Sequence, residues 1–356
     1  MPAEDQAAPQ RGDVPSPGGR SRPTMQDVAA HAGVALKTVS RVVNGEPGVT
    51  PAMAERVRAA IDQLGFRRND GARILRKGQT ASIGLIMEDI GDPFYSALSR
   101  AIEDVARVHG HLLFTGSSDE DPARERELAL AFCARRVDGL IVIPASDDHT
   151  YLLPEIAAGL ATVFVDRPPR LIEADTVLSS NIDGARAGVA HLIRGGHRRI
   201  GYIGDAPRIY TSMLRHRGYR EAMAQAGLRV DDSWVAMAAP SLGSVRLALR
   251  RMLARPAPVT ALFCGNNRVS VAALRELRAL AQAGEPGGVA FVGFDDFELA
   301  DLLYPGVTVV AQDVARLGQG AAQLLFRRLA GDRGPAERIE VATQLIQRGS
   351  GEIPPG

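Results

Sequence analysis

Cysteine is almost missing from this chain: only Cys133 and Cys264 occur, far apart and each inside an apolar stretch. That argues against a disulfide framework and predicts two buried free thiols. The seven histidines show no metal-ligand spacing, so neither a metal site nor a cofactor is expected. No apolar run approaches the ~18 residues of a membrane span, and the N-terminus lacks a signal-peptide core. A cytoplasmic protein without a membrane partner is the expectation. No GxGxxG follows the apolar run at 81–88, no Walker motif appears, and no Ser/His/Asp set or carboxylate pair stands above chance. Enzymatic chemistry therefore has no support, and His197 and Asp205 read as helix-end and turn residues. Only GEIPPG follows Ser350, so a C-terminal leucine heptad and the tetramer it would build are not expected. Charge of one sign is also lacking, with 42 Lys/Arg against 41 Asp/Glu.

That near balance hides an uneven distribution. Residues 1–78 carry 12 Lys/Arg against 8 Asp/Glu, leaving a slightly acidic body behind a basic head. Residues 1–22 are rich in Pro, Gly and charge without periodicity and read as a disordered lead-in. The stretch that follows, TMQDVAAHAGVALKTVSRVVN at 24–44, carries most of the functional signal. Thr24 with Asp27 three positions on has capping-box spacing, and Val28, Ala29 and Ala32 form an apolar stripe. Gly33 suits a sharp reversal that needs positive φ. A second helix fits from Leu36 to about Val43, with Val39, Val42 and Val43 inward and Lys37, Thr38, Ser40 and Arg41 outside. Thr50-Pro51 opens a third, in which Ala54, Val57, Ile61 and Leu64 repeat at helical spacing. Such periodicity also fits ordinary short helices of a globular domain. The coincidence of caps, turn glycine and a short basic outer face favours a helix-turn-helix DNA reader at residues 23–66.

From Ala81 onward short apolar runs alternate with amphipathic segments: ASIGLIM, HLLFTG, GLIVIP, TVFVDR, TVLSS, RIGYIGD, WVAMAA, ALFCGN and GVAFVGFD. Alternation of this kind predicts an α/β fold with parallel sheets covered by helices on both faces. Two Rossmann-like lobes flanking a cleft are expected, with ligand beyond the carboxyl ends of the strands. VTVVAQD near 307–313 is read as the return crossing. Lobe 1 is then about 81–179 plus 310–330, and lobe 2 about 180–309 plus 331–350.

These residues resemble the LacI/GalR family of bacterial transcriptional regulators from Thr24 to about Ser350. TVSRVVN at 38–44 is similar to the family's recognition helix, ARILRKGQT at 72–80 to its hinge (67–80 here), and GHRRIGYIG at 196–204 to the opening of its second lobe. FVGFDD at 291–296 and QRGS at 347–350 match as well. The resemblance implies a helix-turn-helix head on a periplasmic-binding-protein-like core, acting as a repressor under effector control. Its operator would be pseudo-palindromic double-stranded DNA, bound as a homodimer. Base reading falls to Leu36, Lys37 and Arg41, with Thr24, Thr38, Ser40 and Asn44 also at the DNA. The hinge contributes Asn69, Ala72 and Arg73, and Leu75 is the minor-groove wedge. The effector, a sugar or other polyhydroxylated metabolite, would meet Phe94, Tyr95, Ser117, Asp166, Arg167, Arg215, Asn266 and Asp295.

Several positions depart from the family pattern. Ala35 stands where a Ser or Thr cap is usual, which costs about 1 kcal/mol of helix stability. Arg68 replaces the hinge proline, and Gly71 inside the hinge helix costs roughly another 1 kcal/mol against alanine. Ser180-Asn181 and Asn266-Asn267 each lack a carboxylate common in relatives, and Ser117 replaces a frequent asparagine. A nucleoside, a phosphorylated sugar or another anion therefore stays open as the effector. A periplasmic-type solute-binding protein would share the lobes but has no use for residues 24–78.

Overall fold

The computed structural model describes residues 23–67, 80–285 and 288–356. The chain divides into two compact units, residues 1–78 and 79–356. Three helices make the first: α1 (Met25–Ala32), α2 (Leu36–Asn44) and α3 (Pro51–Leu64). Thr24 and Asp27 close a reciprocal capping box, and Gly33 ends α1 at φ 60°. Val28, Val39 and Val57 are fully buried where the helices meet, and Phe66 joins them. Arg56 of α3 donates to the carbonyl of Ala32 at 2.6 Å, tying the third helix to the turn of the first two.

The second unit runs β1 (Ser82–Met87), α4 (Pro93–Val108), β2 (Leu112–Ser117), α5 (Pro122–Ala134), β3 (Gly139–Val142), α6 (Leu153–Ala157), β4 (Ala161–Val165) and β5 (Asp175–Ser179). It continues with α7 (Asn181–Arg194), β6 (Ile200–Gly204), α8 (Tyr210–Gln225), β7 (Val235–Met237), α9 (Leu242–Leu253), β8 (Ala261–Cys264), α10 (Asn267–Gln282) and β9 (Ala290–Phe294). The last elements are β10 (Thr308–Ala311), α11 (Val314–Leu329), β11 (Arg338–Val341) and β12 (Gln344–Ile346). Two six-stranded sheets result, ordered β11-β5-β4-β3-β1-β2 and β12-β10-β9-β8-β6-β7. Every pairing is parallel except β10 with β12. Each sheet carries a separate apolar cluster on either face, so its central strands are buried on both sides, as parallel sheets require.

The lobe boundaries differ from the expected ones. VTVVAQD is no return crossing: β10 pairs with β9 in the second sheet, and the chain crosses only afterwards, into α11. The segment expected wholly in lobe 2, 331–350, is split, because β11 pairs with β5 of lobe 1 while β12 returns to lobe 2. Arg328 forks onto the Asp175 carboxylate at 2.7 and 2.8 Å, and the Glu337 N–H donates to the same group at 2.8 Å. This buried anchor holds β11 beside β5 and carries no periodicity signal. The fold also runs past Ser350. Glu352 accepts from the Thr308 hydroxyl at 2.9 Å, and His197 bonds the Ile353 carbonyl at 2.8 Å. Cys264 is buried as expected, whereas Cys133 is only half-buried, with burial and then Glu155 pushing its thiol up to about 11. No helix among the described residues is long and apolar enough to cross a membrane.

Candidate DNA interface and ligand cleft

In the first unit α2 presents its N-terminal end to solvent. Leu36 is 45% exposed, Lys37 is exposed, and Thr38, Ser40 and Arg41 are half-exposed around the buried Val39. Gly48, at φ 95°, lets the Arg41 guanidinium lie over the loop, since a Cβ there would stand 3.3 Å from Arg41 Nη1. The Asn44 amide donates to Ser40 Oγ and Glu46 Oε1, both at 3.3 Å, so it is held along the helix. Ala35 makes no side-chain cap, and only its carbonyl accepts, from Thr38 and Val39. Thr24 is occupied in its capping box. Asn69, Ala72, Arg73 and Leu75, with Arg68 and Gly71, lie outside the described residues.

In the second unit a cleft of about 480 Å3, counting its open mouth, lies between the lobes. Its functional side chains stand just past the carboxyl ends of strands, where parallel sheets leave room for ligands. Asp166 follows β4 and Asp295 follows β9, in matching positions of the two lobes. Both adopt left-handed φ, 67° and 69°, and each backbone N–H bonds across at 2.9 Å, Asp166 to Val177 and Asp295 to Val310. Aspartate tolerates this region better than most residues, and its repetition marks a site where strain is retained.

Arg215 enters from α8. Its Nε donates to Asn181 Oδ1 at 2.7 Å, its Nη1 to the Gly265 carbonyl at 2.8 Å and to Asp295 at 3.3 Å, and its guanidinium lies 3.9 Å from the Phe294 ring centroid. Gly218 makes this placement possible: a Cβ there would fall 2.4 Å from the Ile182 carbonyl, so only glycine lets α8 approach α7. Arg167 is buried in lobe 1 and bonds Glu120, the Pro144 carbonyl, Glu88 and the Tyr95 hydroxyl. Tyr95 is buried and donates to Glu88 at 2.9 Å, with Phe94 packed edge-on against it. Burial raises the carboxyls of Glu88, Asp166, Asp205 and Asp295 above the ordinary range, against the pull of Arg167 and Arg215.

The cleft brings together seven of the eight expected ligand residues; Ser117 is the exception. It ends β2, the edge strand of its sheet, and its hydroxyl accepts the Ile90 N–H at 3.2 Å. Sequence reasoning missed Glu88, Asp92, Arg268 and Gln312, and noted Asn267 only as the lack of a carboxylate; Asp205, read as a turn residue, does accept the Ala206 N–H at the bend after β6 and also lines the cleft. The strand-end rule would have found Glu88, Asp205 and Gln312, which follow β1, β6 and β10 as Asp166 follows β4. Asp92 combines two tasks: it caps α4 through the Phe94 N–H and accepts from Asn267 of the opposite lobe at 2.9 Å.

A helix-turn-helix head joined to a two-lobed core around a polar cleft defines a ligand-responsive DNA-binding regulator. The family model for bacterial regulatory proteins of the lacI family matches residues 24–69, and that for the periplasmic binding protein-like domain matches residues 189–351. The chain is 34% identical to the HTH-type transcriptional regulator CelR of Thermobifida fusca, over 93% of this chain and 99% of that one. It is 35% identical to the regulator PtxS of Pseudomonas plecoglossicida, over 94% and 97%. A solved CelR-cellobiose complex superposes with TM-score 0.67 at 31% identity, covering 92% of this chain and all of that one. The chain belongs to the LacI family of bacterial regulatory proteins. It is an effector-controlled, DNA-binding transcriptional regulator and not an enzyme.

Proposed function

We propose that this protein is a cytoplasmic repressor that binds a pseudo-palindromic operator as a homodimer and is switched by a small polyhydroxylated molecule, a sugar or close relative, in the interlobe cleft. The observation that carries the reading is the cleft itself, with polar groups from both lobes converging on one volume within a chain that also holds the DNA-reading head. A cellobiose complex of the similar CelR supports a sugar. Leu36, Lys37 and Arg41 read bases, while Thr24, Thr38, Ser40 and Asn44 support phosphate contacts and helix placement. Asn69, Ala72, Arg73 and Leu75 form the minor-groove contact of the connecting segment. Phe94, Tyr95, Asp166, Arg167, Arg215, Asn266 and Asp295 hold the effector, joined by Glu88, Asp205 and Gln312.

Dimer formation follows from size and surface. One small helix-turn-helix buries too little surface for tight specific binding. Leu299, Leu302, Leu303 and Tyr304 of one loop remain exposed, Tyr304 completely, and offer apolar area to a second copy. Effector binding changes the relative position of the lobes and thereby the spacing of two heads. The test is to select DNA from a random pool with the full chain, then titrate the selected duplex with and without sugars. Selection of a two-fold site whose affinity changes at least fivefold with one compound is the expected result. A half-site bound equally well, or indifference to every compound, counts against the reading.

A further inference from the structure

Resting on the effector reading, the structure also restricts what the effector can be. Among the described residues that line the cleft, carboxylates outnumber arginines five to three, and each of the three arginines is paired with a carboxylate. Arg167 is engaged by Glu120 and Glu88, with its Nε 3.6 Å from Asp166. Arg215 pairs with Asp295 at 3.3 Å, and Arg268 with Glu88 at 2.9 Å. Asp92 and Asp205 are satisfied by neutral donors: Phe94 N–H and Asn267 for the first, Ala206 N–H and Asn266 for the second. A negatively charged ligand would therefore enter a surplus of negative charge and find its cations already neutralised.

Three shielded polar atoms at the same cleft nevertheless have no hydrogen-bond partner among the described residues: Asp166 Oδ1, Arg167 Nε and Gln312 Oε1. Asp166 is 3% and Arg167 5% exposed, so leaving them unmatched is costly. The amide of Gln312 is oriented by its 2.6 Å donation to Asp295, which leaves its oxygen as an acceptor only. The unmatched set is thus two acceptors and one donor, with the donor beside Asp166. A hydroxyl fits the Asp166 and Arg167 pair, because it can donate to the carboxylate while accepting from Nε. A second hydroxyl donating to Gln312 completes the set.

We infer that the effector is an uncharged polyol or sugar, bound by hydroxyls to Asp166, Arg167 and Gln312, and that phosphorylated and acidic sugars are rejected by the cleft. The test uses the full chain and isothermal titration calorimetry with neutral mono- and disaccharides, each beside its 6-phosphate and its aldonic acid. At least one neutral sugar should bind, and its charged counterparts should bind at least about 100-fold more weakly. Asp166→Ala should weaken the neutral sugar about tenfold to 100-fold, and Gln312→Leu about tenfold, with the ligand-free melting temperature as the fold control. A phosphorylated or acidic sugar that binds as tightly as its neutral parent overturns the inference, as does silence from every neutral sugar. Selection of a two-fold DNA site by the same preparation shows separately whether the regulator reading stands, so the two failures are distinguishable.

Discussion

Arg268 of lobe 2 places Nη1 2.9 Å from Glu88 Oε1 of lobe 1, a direct ion pair across the mouth of the cleft. The other Glu88 oxygen accepts from Tyr95 at 2.9 Å and faces Arg167 at 3.4 Å. Glu88 thus links the cross-lobe contact to the cleft wall. Beside it, Asn267 donates to Asp92, a second bond between the lobes. Closure is therefore written into side chains that also line the ligand volume, and any occupant that displaces Glu88 changes how the lobes meet.

Removing that pair tests the coupling. Because the Arg268 side chain is 46% exposed, the pair is worth little to stability, and Arg268→Ala should leave the melting temperature nearly unchanged. The variant should alter the ratio of operator affinities with and without effector by about fivefold, about 1 kcal/mol of coupling. Anisotropy titrations of the operator measure both arms, and an unchanged ratio removes Glu88 and Arg268 from the switch.

Gly218→Ala addresses placement of Arg215. The added methyl meets backbone, the Ile182 carbonyl, and the Ala185 methyl group, so α8 must move away from α7. Overpacking of this kind costs about 1–3 kcal/mol. Effector affinity should fall together with thermal stability, since Arg215 loses its hold on Asn181 and Asp295. A stable variant with native affinity would show that the close approach is not needed.

Arg328→Ala should destabilise the core by about 3 kcal/mol, because it leaves the Asp175 carboxylate buried without its partner. Burial alone would raise the Asp175 carboxyl, but Arg328 and the Glu337 N–H hold it below the ordinary value. The stabilisation is therefore present above the unfolded value of about 3.9 and is lost as pH falls through the depressed folded value. Urea unfolding from pH 7 to pH 3 should show that acid-side loss shrink in the variant. Parallel curves for the two proteins would refute the assignment.

At the head, Ala35→Ser supplies the side-chain cap that α2 lacks and should stabilise this helix by about 1 kcal/mol. Slower hydrogen exchange at the amides of Lys37 and Thr38 is the expected signature. Exchange that stays at the parent rate would mean the helix is already held by its packing on Val39.

Arg41→Ala separates base reading from charge. Loss of about 1–3 kcal/mol on the selected site, with little change on unrelated DNA, is expected of a base contact. An equal loss on every sequence, accompanied by a smaller salt dependence, would make Arg41 a phosphate contact instead.

The head was legible because its signals are local. The Thr24 and Asp27 box, the turn at Gly33, Thr50-Pro51 and the valine spacing each act within a few residues, and all reappear in the structure. Arg56 was not legible, since its partner at Ala32 lies 24 residues away. In the core, strand and helix alternation announced two parallel sheets. It could not say that β11 joins the first and β12 the second, because strands of four and three residues carry too little pattern.

What the amino-acid order determined alone is the part governed by short-range physics: capped helices, apolar runs that become buried strands, and polar residues at strand ends such as Asp166 and Asp295. Tertiary structure decided which of them meet. Glu88 and Arg268 are 180 residues apart and Arg215 and Asp295 are 80 apart, so no local pattern links them. The meeting of the two lobes brings Glu88 to Arg268, and the packing of α8 within lobe 2 brings Arg215 to Asp295; burial then makes these pairings, and the unmatched oxygens of Asp166 and Gln312, matter.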